Sequence, residues 1–233
     1  MLLLKEMNIK AVILDFGGTL AKGEITYPQY HDAIMGYLRG VGYQRDISEI
    51  RSAIHHALQR LREVRSEGRE QTFEEVYGHM MEELEVPRDG EILEDLHDLF
   101  KNHYKTEFFS CTGEILRELS ARYKIAMLSN TMSDQPKLML MEEGWDKLFD
   151  IMVCSRDLGI RKPNPEIFRY VVGEIGVKPE EAVHVGDNLE EDIRGAELSG
   201  VTPIWIRGGD GEWDGHSIDS ICELPHLLSS MDG

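Results

Sequence analysis

Apolar and polar positions along this chain follow two different rhythms. In one, short runs rich in Val and Ile end abruptly on polar residues: IKAVILDF (9–16), YKIAMLSN (123–130), DIMVCS (150–155), EAVHVGD (181–187) and VTPIWIR (201–207). Runs this short and apolar on both parities suit strands buried on both faces of a parallel sheet. Helix-like segments separate them from the second run onward. GEILRELSAR (113–122) precedes that run, and QPKLMLMEEG (135–144), PEIFRYVVGEIG (165–176) and LEEDIRGAELSG (189–200) follow in turn, the last closed by Gly200 as a helix stop. The alternation predicts an α/β fold, a Rossmann-like doubly wound parallel sheet covered by helices on both sides.

The second rhythm occupies the interval between the first two runs, which is too long for one crossover. DISEIRSAIHHALQRLREV (46–64) sets Ile47, Ile50, Ile54, Leu58, Leu61 and Val64 at helical spacing. Asp46 with Glu49, and Thr72 with Glu75, read as capping boxes. Further helices are expected at 27–39, 72–85 and 90–104, with no strand among them. Four helices of this size form a small bundle with its own apolar seam. The expected organisation is therefore a core domain of residues 1–22 and 106–233, with a helical cap domain inserted over 23–105.

Composition narrows the partners. A net charge of −18 repels phosphodiester backbones, which argues against nucleic acid but leaves room for a small anionic substrate in a locally positive pocket. No apolar run approaches the roughly 18 residues of a membrane helix, and the short apolar start MLLLKEMNIK lacks a cleavage site. Cys111, Cys154 and Cys222 are far apart and form no C-x-x-C pair, so they read as unpaired thiols in a reducing compartment. The expectation is a cytoplasmic protein, monomer or homodimer, that contacts neither membrane nor nucleic acid.

The polar residues that end the runs carry the candidate chemistry. In an open parallel sheet, ligands bind beyond the carboxyl ends of the strands, which gathers Asp15, Ser129, Asn130, Ser155 and Asp187 on one edge. Asp15 lies in D-F-G-G-T, where Gly17 and Gly18 let the backbone turn tightly and bring N–H groups near an anion, and Thr19 caps the turn or steadies the carboxylate. A carboxylate so placed can attack phosphorus to form an aspartyl-phosphate. Ser129, in L-S-N-T, suits phosphate oxygens. Lys162, in R-K-P-N-P, offers an ammonium on a loop stiffened by Pro163 and Pro165. Asp187 and Asp192, in V-G-D-N-L-E-E-D, supply the oxygen ligands that Mg²⁺ prefers.

These four segments, D-F-G-G-T-L, L-S-N-T, R-K-P-N-P-E-I-F and V-G-D-N-L-E-E-D, resemble in identity and order the motifs of the haloacid dehalogenase-like (HAD) hydrolase superfamily. The resemblance covers about residues 8–22 and 106–210, and the helical insertion lies where members with a helical cap carry theirs. It implies a phosphatase acting on a small phosphate ester, with Asp15 as nucleophile and Mg²⁺ held by Asp15, the backbone carbonyl of Gly17, and Asp187. It further implies phosphate binding by Ser129 and Lys162, with Asp192 orienting Lys162 or a metal-bound water. Asn130 either assists substrate binding or serves as a helix N-cap.

One position departs from the family's phosphatases. They usually carry D-x-D in the first motif, and the second Asp protonates the leaving alcohol; here that position is Gly17. General acid–base help contributes roughly 10²–10⁴-fold. Three outcomes follow: a phosphatase that compensates, a dehalogenase-type hydrolase whose halide needs no proton, or a phosphate-ester binding protein with little turnover. The metal-type fourth motif favours phosphoryl chemistry. A phosphonate-cleaving route would need a cap lysine, and residues 23–100 contain none. Tyr27, Tyr30 and His31 are candidates to touch a leaving group, and Arg62, Arg65 and Arg69 to bind an anion, each with packing or a solvated face as the alternative.

Overall fold

The computed structural model describes residues 8–208 and 211–232. In chain order its elements are β1 (Ala11–Leu14), β2 (Ala21–Ile25), α1 (Tyr27–Gly40), α2 (Ile47–Ser66), α3 (Phe73–Glu83), α4 (Gly90–His103), β3 (Tyr104–Phe108), α5 (Thr112–Ser120) and β4 (Lys124–Ser129). They continue with α6 (Gln135–Glu142), β5 (Ile151–Cys154), α7 (Ser155–Leu158), α8 (Pro165–Glu174), β6 (Ala182–Gly186), α9 (Gly195–Ser199), β7 (Thr202–Ile206), β8 (Ser217–Ile218) and α10 (Leu224–Met231). The chain divides into two compact units, one running up to Lys22 and from Glu107 onward, the other Gly23–Thr106. Among the described residues no helix is long and apolar enough to cross a membrane.

The first unit is built on a six-stranded sheet of order β5-β4-β1-β6-β7-β8, with every neighbouring pair parallel. Both parities of its strands are buried, each against different helices, as a doubly wound sheet requires. Val12, Leu14, Ile125, Met127, Val183 and Val185 pack with Leu116 of α5 and Leu224 and Leu228 of α10. Ala11, Ile13, Ala126 and Leu128 pack on the other face with Ile167, Phe168 and Val171 of α8 and Ala196 of α9. Each fully buried aliphatic side chain here contributes about 1.5–3 kcal/mol.

Three sequence expectations need correction. Residues 23–105 are not free of strand: β2 runs to Ile25, β3 begins at Tyr104, and the two pair with each other. Their sequences, AKGEI and YKTEF, interleave charge with partly exposed positions and offer no apolar run to read. The segment 189–200 is not one regular α-helix, because Leu189–Arg194 is wound as a π-helical turn before α9 begins. Finally, Cys111 and Cys222 are joined in a disulfide, with Cα atoms 5.8 Å apart across a sequence separation of 111. Cys111 caps α5 and Cys222 lies just before α10, and these helices cover the same sheet face. Cys154 is a free, buried thiol whose pKa is pushed up to about 12, chiefly by burial.

The second unit is helical. Its seam is made by Tyr30, Ile34 and Leu38 of α1, Ile50, Ile54 and Leu61 of α2, Phe73, Tyr77 and Met80 of α3, and Leu93 and Leu96 of α4, all buried. Phe73 stacks on Tyr77 and His97 at ring separations of 4.0 and 4.3 Å. The predicted caps hold. The Thr72 hydroxyl accepts from Glu75 N–H while Glu75 accepts from Thr72 N–H, and Glu49 accepts from Asp46 N–H.

Candidate active site

Strand register brings the predicted residues together. Leu14 of β1 is level with Met127 of β4 and Val185 of β6. One step further along, Asp15, Leu128 and Gly186 are level at the carboxyl edge, and one more step adds Ser129 and Asp187. The first motif then turns at once. Gly18 N–H donates to Ala21 O at 2.7 Å, and Leu20 and Ala21 N–H both return to Phe16 O.

Gly18 serves this turn in two ways. Its φ of 78° lies in the left-handed region, and a Cβ there would overlap the Asp187 carboxylate. Because its own N–H is taken by Ala21, what Gly18 gives the site is room for Asp187. Thr19 is fully buried, and its hydroxyl has no hydrogen-bond partner among the described residues. Ser129 closes β4 and is buried.

Lys162 organises the centre. Its ammonium donates to Asp15 Oδ1 at 2.6 Å, Asp192 Oδ1 at 2.6 Å and the Leu128 carbonyl at 2.9 Å. Three protons meet three acceptors, so in this arrangement the side chain offers a bound anion charge rather than a further hydrogen bond. Burial works against its charge, but the two carboxylates more than offset this and hold the ammonium above its ordinary range. Asp192 receives more than Lys162. His184 Nε2 lies 2.9 Å from Asp192 Oδ1, and Asn188 N–H donates to Asp192 Oδ2 at 3.1 Å. Burial alone would raise its pKa, yet Lys162 and His184 hold it well below the carboxylate range. Burial also lowers the pKa of His184 against the pull of Asp192, and because an ionised carboxylate only accepts, Nε2–H is the donor to Asp192.

Asp15 and Asp187 are shifted the other way. Burial raises the Asp15 pKa against the pull of Lys162, and the nearby Asp192 and Asp187 add to the rise. Asp187 is likewise raised, by burial and then by Asp192. Oxygens of Asp15, Asp187 and Asp192 all lie within 4.8 Å of one another. Two carboxylates that resist ionising side by side are stabilised by a shared cation, and an all-oxygen donor set suits a hard divalent ion. The residues therefore fit a metal. Asp192, already committed to three donors, has the least capacity left to ligate it.

The sequence profile of the haloacid dehalogenase-like hydrolases matches residues 9–200. The chain belongs to the haloacid dehalogenase-like hydrolase family.

Relatives of this chain agree with that placement. It is 40% identical to the phosphoserine phosphatase of Thermus thermophilus over 85 residues, which are 36% of this chain and 34% of that one. It is 39% identical to the glyceraldehyde 3-phosphate phosphatase of Methanopyrus kandleri over 94 residues, 40% of each chain. The matched segments thus span well under two thirds of these relatives. Among solved structures, the 2-haloacid dehalogenase of Pseudomonas syringae pv. tomato superposes with a TM-score of 0.74 over 95% of this chain and 99% of that one. Its 21% identity speaks for the fold alone. An HAD phosphatase of Thermococcus onnurineus gives a TM-score of 0.63 at 25% identity over 94% and 98% of the two chains.

His184 and Trp205 escaped the reading of the sequence, whereas Asn130 reads there as a substrate-binding residue or a helix N-cap. His184 was one buried residue in a strand, and only the register exposes its reach to Asp192. Asn130 is held as a clasp: its side-chain oxygen accepts from Lys162 N–H, and its amide donates to Lys162 O and Glu191 Oε2. Glu191 in turn accepts from Arg161 at 2.6 Å. Trp205 Nε1–H donates to the Asp187 carbonyl and fixes the turn that carries it. Asn188 is an N-cap, accepting from Glu190 and Glu191 N–H.

Within the helical unit, Tyr30 is packing, buried against Tyr77 and Phe100. Arg65 pairs with the buried Glu70, and Arg69 with Glu67. Tyr27 and His31 instead line a cavity of about 400 Å³ with Arg51 and Ile54. The i, i+3 and i, i+4 spacings of these residues on α1 and α2 were its only sequence signal.

Proposed function

We propose that the chain is a Mg²⁺-dependent phosphatase that acts on a small phosphorylated metabolite through an aspartyl-phosphate on Asp15. The observation that carries this reading is the buried Lys162 clamp between Asp15 and Asp192, set beside a cluster of carboxylate oxygens that fits a metal. A halide-displacing enzyme has no comparable need for that acidic cluster. Phosphatase-named relatives at about two fifths identity support the same chemistry.

In this reading Asp15 attacks phosphorus with the carboxylate oxygen that Lys162 does not hold. Lys162 keeps Asp15 oriented and supplies positive charge next to the transferring group. Asp192, fixed by His184 and Asn188, positions Lys162. Ser129 binds a phosphate oxygen, and Asn130 holds the Lys162 backbone in place. Mg²⁺, held by Asp15, Asp187 and the Gly17 carbonyl, would neutralise phosphate charge that these carboxylates otherwise repel. The helical unit is assigned the selection of substrate.

The test is release of p-nitrophenol from its phosphate ester, with Mg²⁺ and with EDTA, by wild type and Asp15→Asn. The expected result is metal-dependent release that falls by on the order of 10⁴-fold or more in the variant, while the folded circular dichroism spectrum is retained. Full activity in Asp15→Asn would sink the nucleophile. Halide release from a haloacid without added metal would favour the dehalogenase alternative.

A further inference from the structure

Two adjacent glycines in the first motif have different reasons to be glycine. Gly18 is required, because its backbone is left-handed and a side chain would collide with Asp187. Gly17 is not. It has no left-handed φ, it is exposed, and a Cβ built on it meets no heavy atom within 4 Å. Neither conformation nor space excludes a side chain at position 17. What the glycine removes is a group two residues from the proposed nucleophile.

The core edge offers no substitute proton donor among its described ionisable side chains. Lys162 has all three protons engaged, with Asp15, Asp192 and the Leu128 carbonyl. Asp192 accepts from Lys162, His184 and Asn188. Glu191 accepts from Asn130 and Arg161. His184 is fully buried, and its Nε2 is engaged with Asp192 Oδ1 at 2.9 Å. Asp15 and Asp187 are the attacking and metal-facing groups of the proposed reaction.

We propose that the natural substrate, on the phosphatase reading above, is a phosphoryl donor whose leaving group departs unprotonated as a weak base: an acyl phosphate, a phosphoanhydride, or an enol or aryl phosphate. The proton balance closes without an enzyme acid. The Asp15 carboxylate bonds to phosphorus as the phosphorus–oxygen bond to the leaving group breaks, and that bond's electron pair leaves on a carboxylate, phosphate or enolate oxygen. Water then adds to phosphorus, the bond to Asp15 breaks with its electron pair returned to the carboxylate, and both water protons leave on the product as dihydrogen phosphate. A simple alkyl ester would have to expel an alkoxide, the case in which an acid at position 17 matters most. An aspartyl-phosphate is itself a mixed anhydride, so transfer from another anhydride is close to balanced, whereas transfer from an alkyl ester is uphill.

The experiment measures kcat/KM for acetyl phosphate, p-nitrophenyl phosphate, phenyl phosphate and glycerol phosphate with Mg²⁺, using wild type, Gly17→Asp and Gly17→Ala. In wild type the values should fall steeply as the leaving group becomes more basic, with glycerol phosphate hydrolysed least. Gly17→Asp should raise the ratio of the glycerol phosphate value to the acetyl phosphate value by up to about 10²–10⁴-fold. Gly17→Ala, which fills the same space without an acid, should give no gain. Wild-type values independent of leaving-group basicity would overturn the proposal and leave the phosphatase reading standing, and that slope decides even if Gly17→Asp folds poorly. An equal gain in Gly17→Ala would also overturn it. Absence of Asp15-dependent release from every ester would remove the phosphatase reading and this inference together.

Discussion

The Lys162 network at the carboxyl edge of the core sheet and the Arg69–Glu67 pair of the helical unit handle charge in opposite ways. At the sheet edge, Lys162 is 1% exposed and lies between two carboxylates that are themselves nearly buried. In the helical unit, the Arg69–Glu67 pair leaves both side chains about 60% exposed, and stability rests on an apolar and aromatic seam. A buried ionic network contributes little net stability compared with well-packed apolar groups, yet breaking one member is costly because the others lose their compensation. The contrast teaches that burial holds a charged network in place at the core edge and builds stability in the helical seam.

The largest test of this contrast is Asp192→Ala. It leaves Lys162 and His184 each short of an acceptor and should destabilise the protein by about 3 kcal/mol, the lower end for a broken buried pair because Asp15 still faces the ammonium. Urea unfolding measures it, and a loss no larger than that of an exposed pair would erase the distinction between the two regions. Next is His184→Leu, which leaves Asp192 without its ring donor while keeping an apolar contact to Phe168. The expected loss is about 1–3 kcal/mol by the same measurement. Thr72→Ala should cost about 1 kcal/mol through the lost cap of α3, and thermal unfolding would register it. Arg69→Ala is expected at the bottom of the series, under about 1 kcal/mol, because its ion pair is exposed and screened. A rank order that placed Arg69 above Asp192 would reverse the comparison.

Much of the fold was legible in the sequence because its signals are local. The run KAVIL before Asp15 and the stripe Ile50, Ile54 and Leu61 each report burial through periodicity alone, and β1 and α2 form there. Thr72 and Glu75 announced a cap that the backbone uses. The failures were equally physical. β2 and β3 stabilise each other by pairing rather than by apolar runs, so neither strand could be read singly. The π-helical turn at 189–194 is absent from any periodicity in LEEDIR. Cys111 and Cys222 could be matched only once α5 and α10 lay on one face of the sheet.

The same division holds at the candidate site. By itself the sequence determined which residue types end the strands, that Asp15, Ser129, Lys162, Asp187 and Asp192 belong to one ordered set, and that position 17 carries no acid. These are matters of identity and order, which a chain records directly. Only the tertiary structure decided that Lys162 gives all its protons to Asp15, Asp192 and Leu128, that His184 stands behind Asp192, and that Asn130 clasps the lysine loop. It also decided that Gly18 must be glycine while Gly17 need not be. Each depends on which groups come within hydrogen-bond or van der Waals distance across a parallel sheet, and residues 147 positions apart meet only when its register is set.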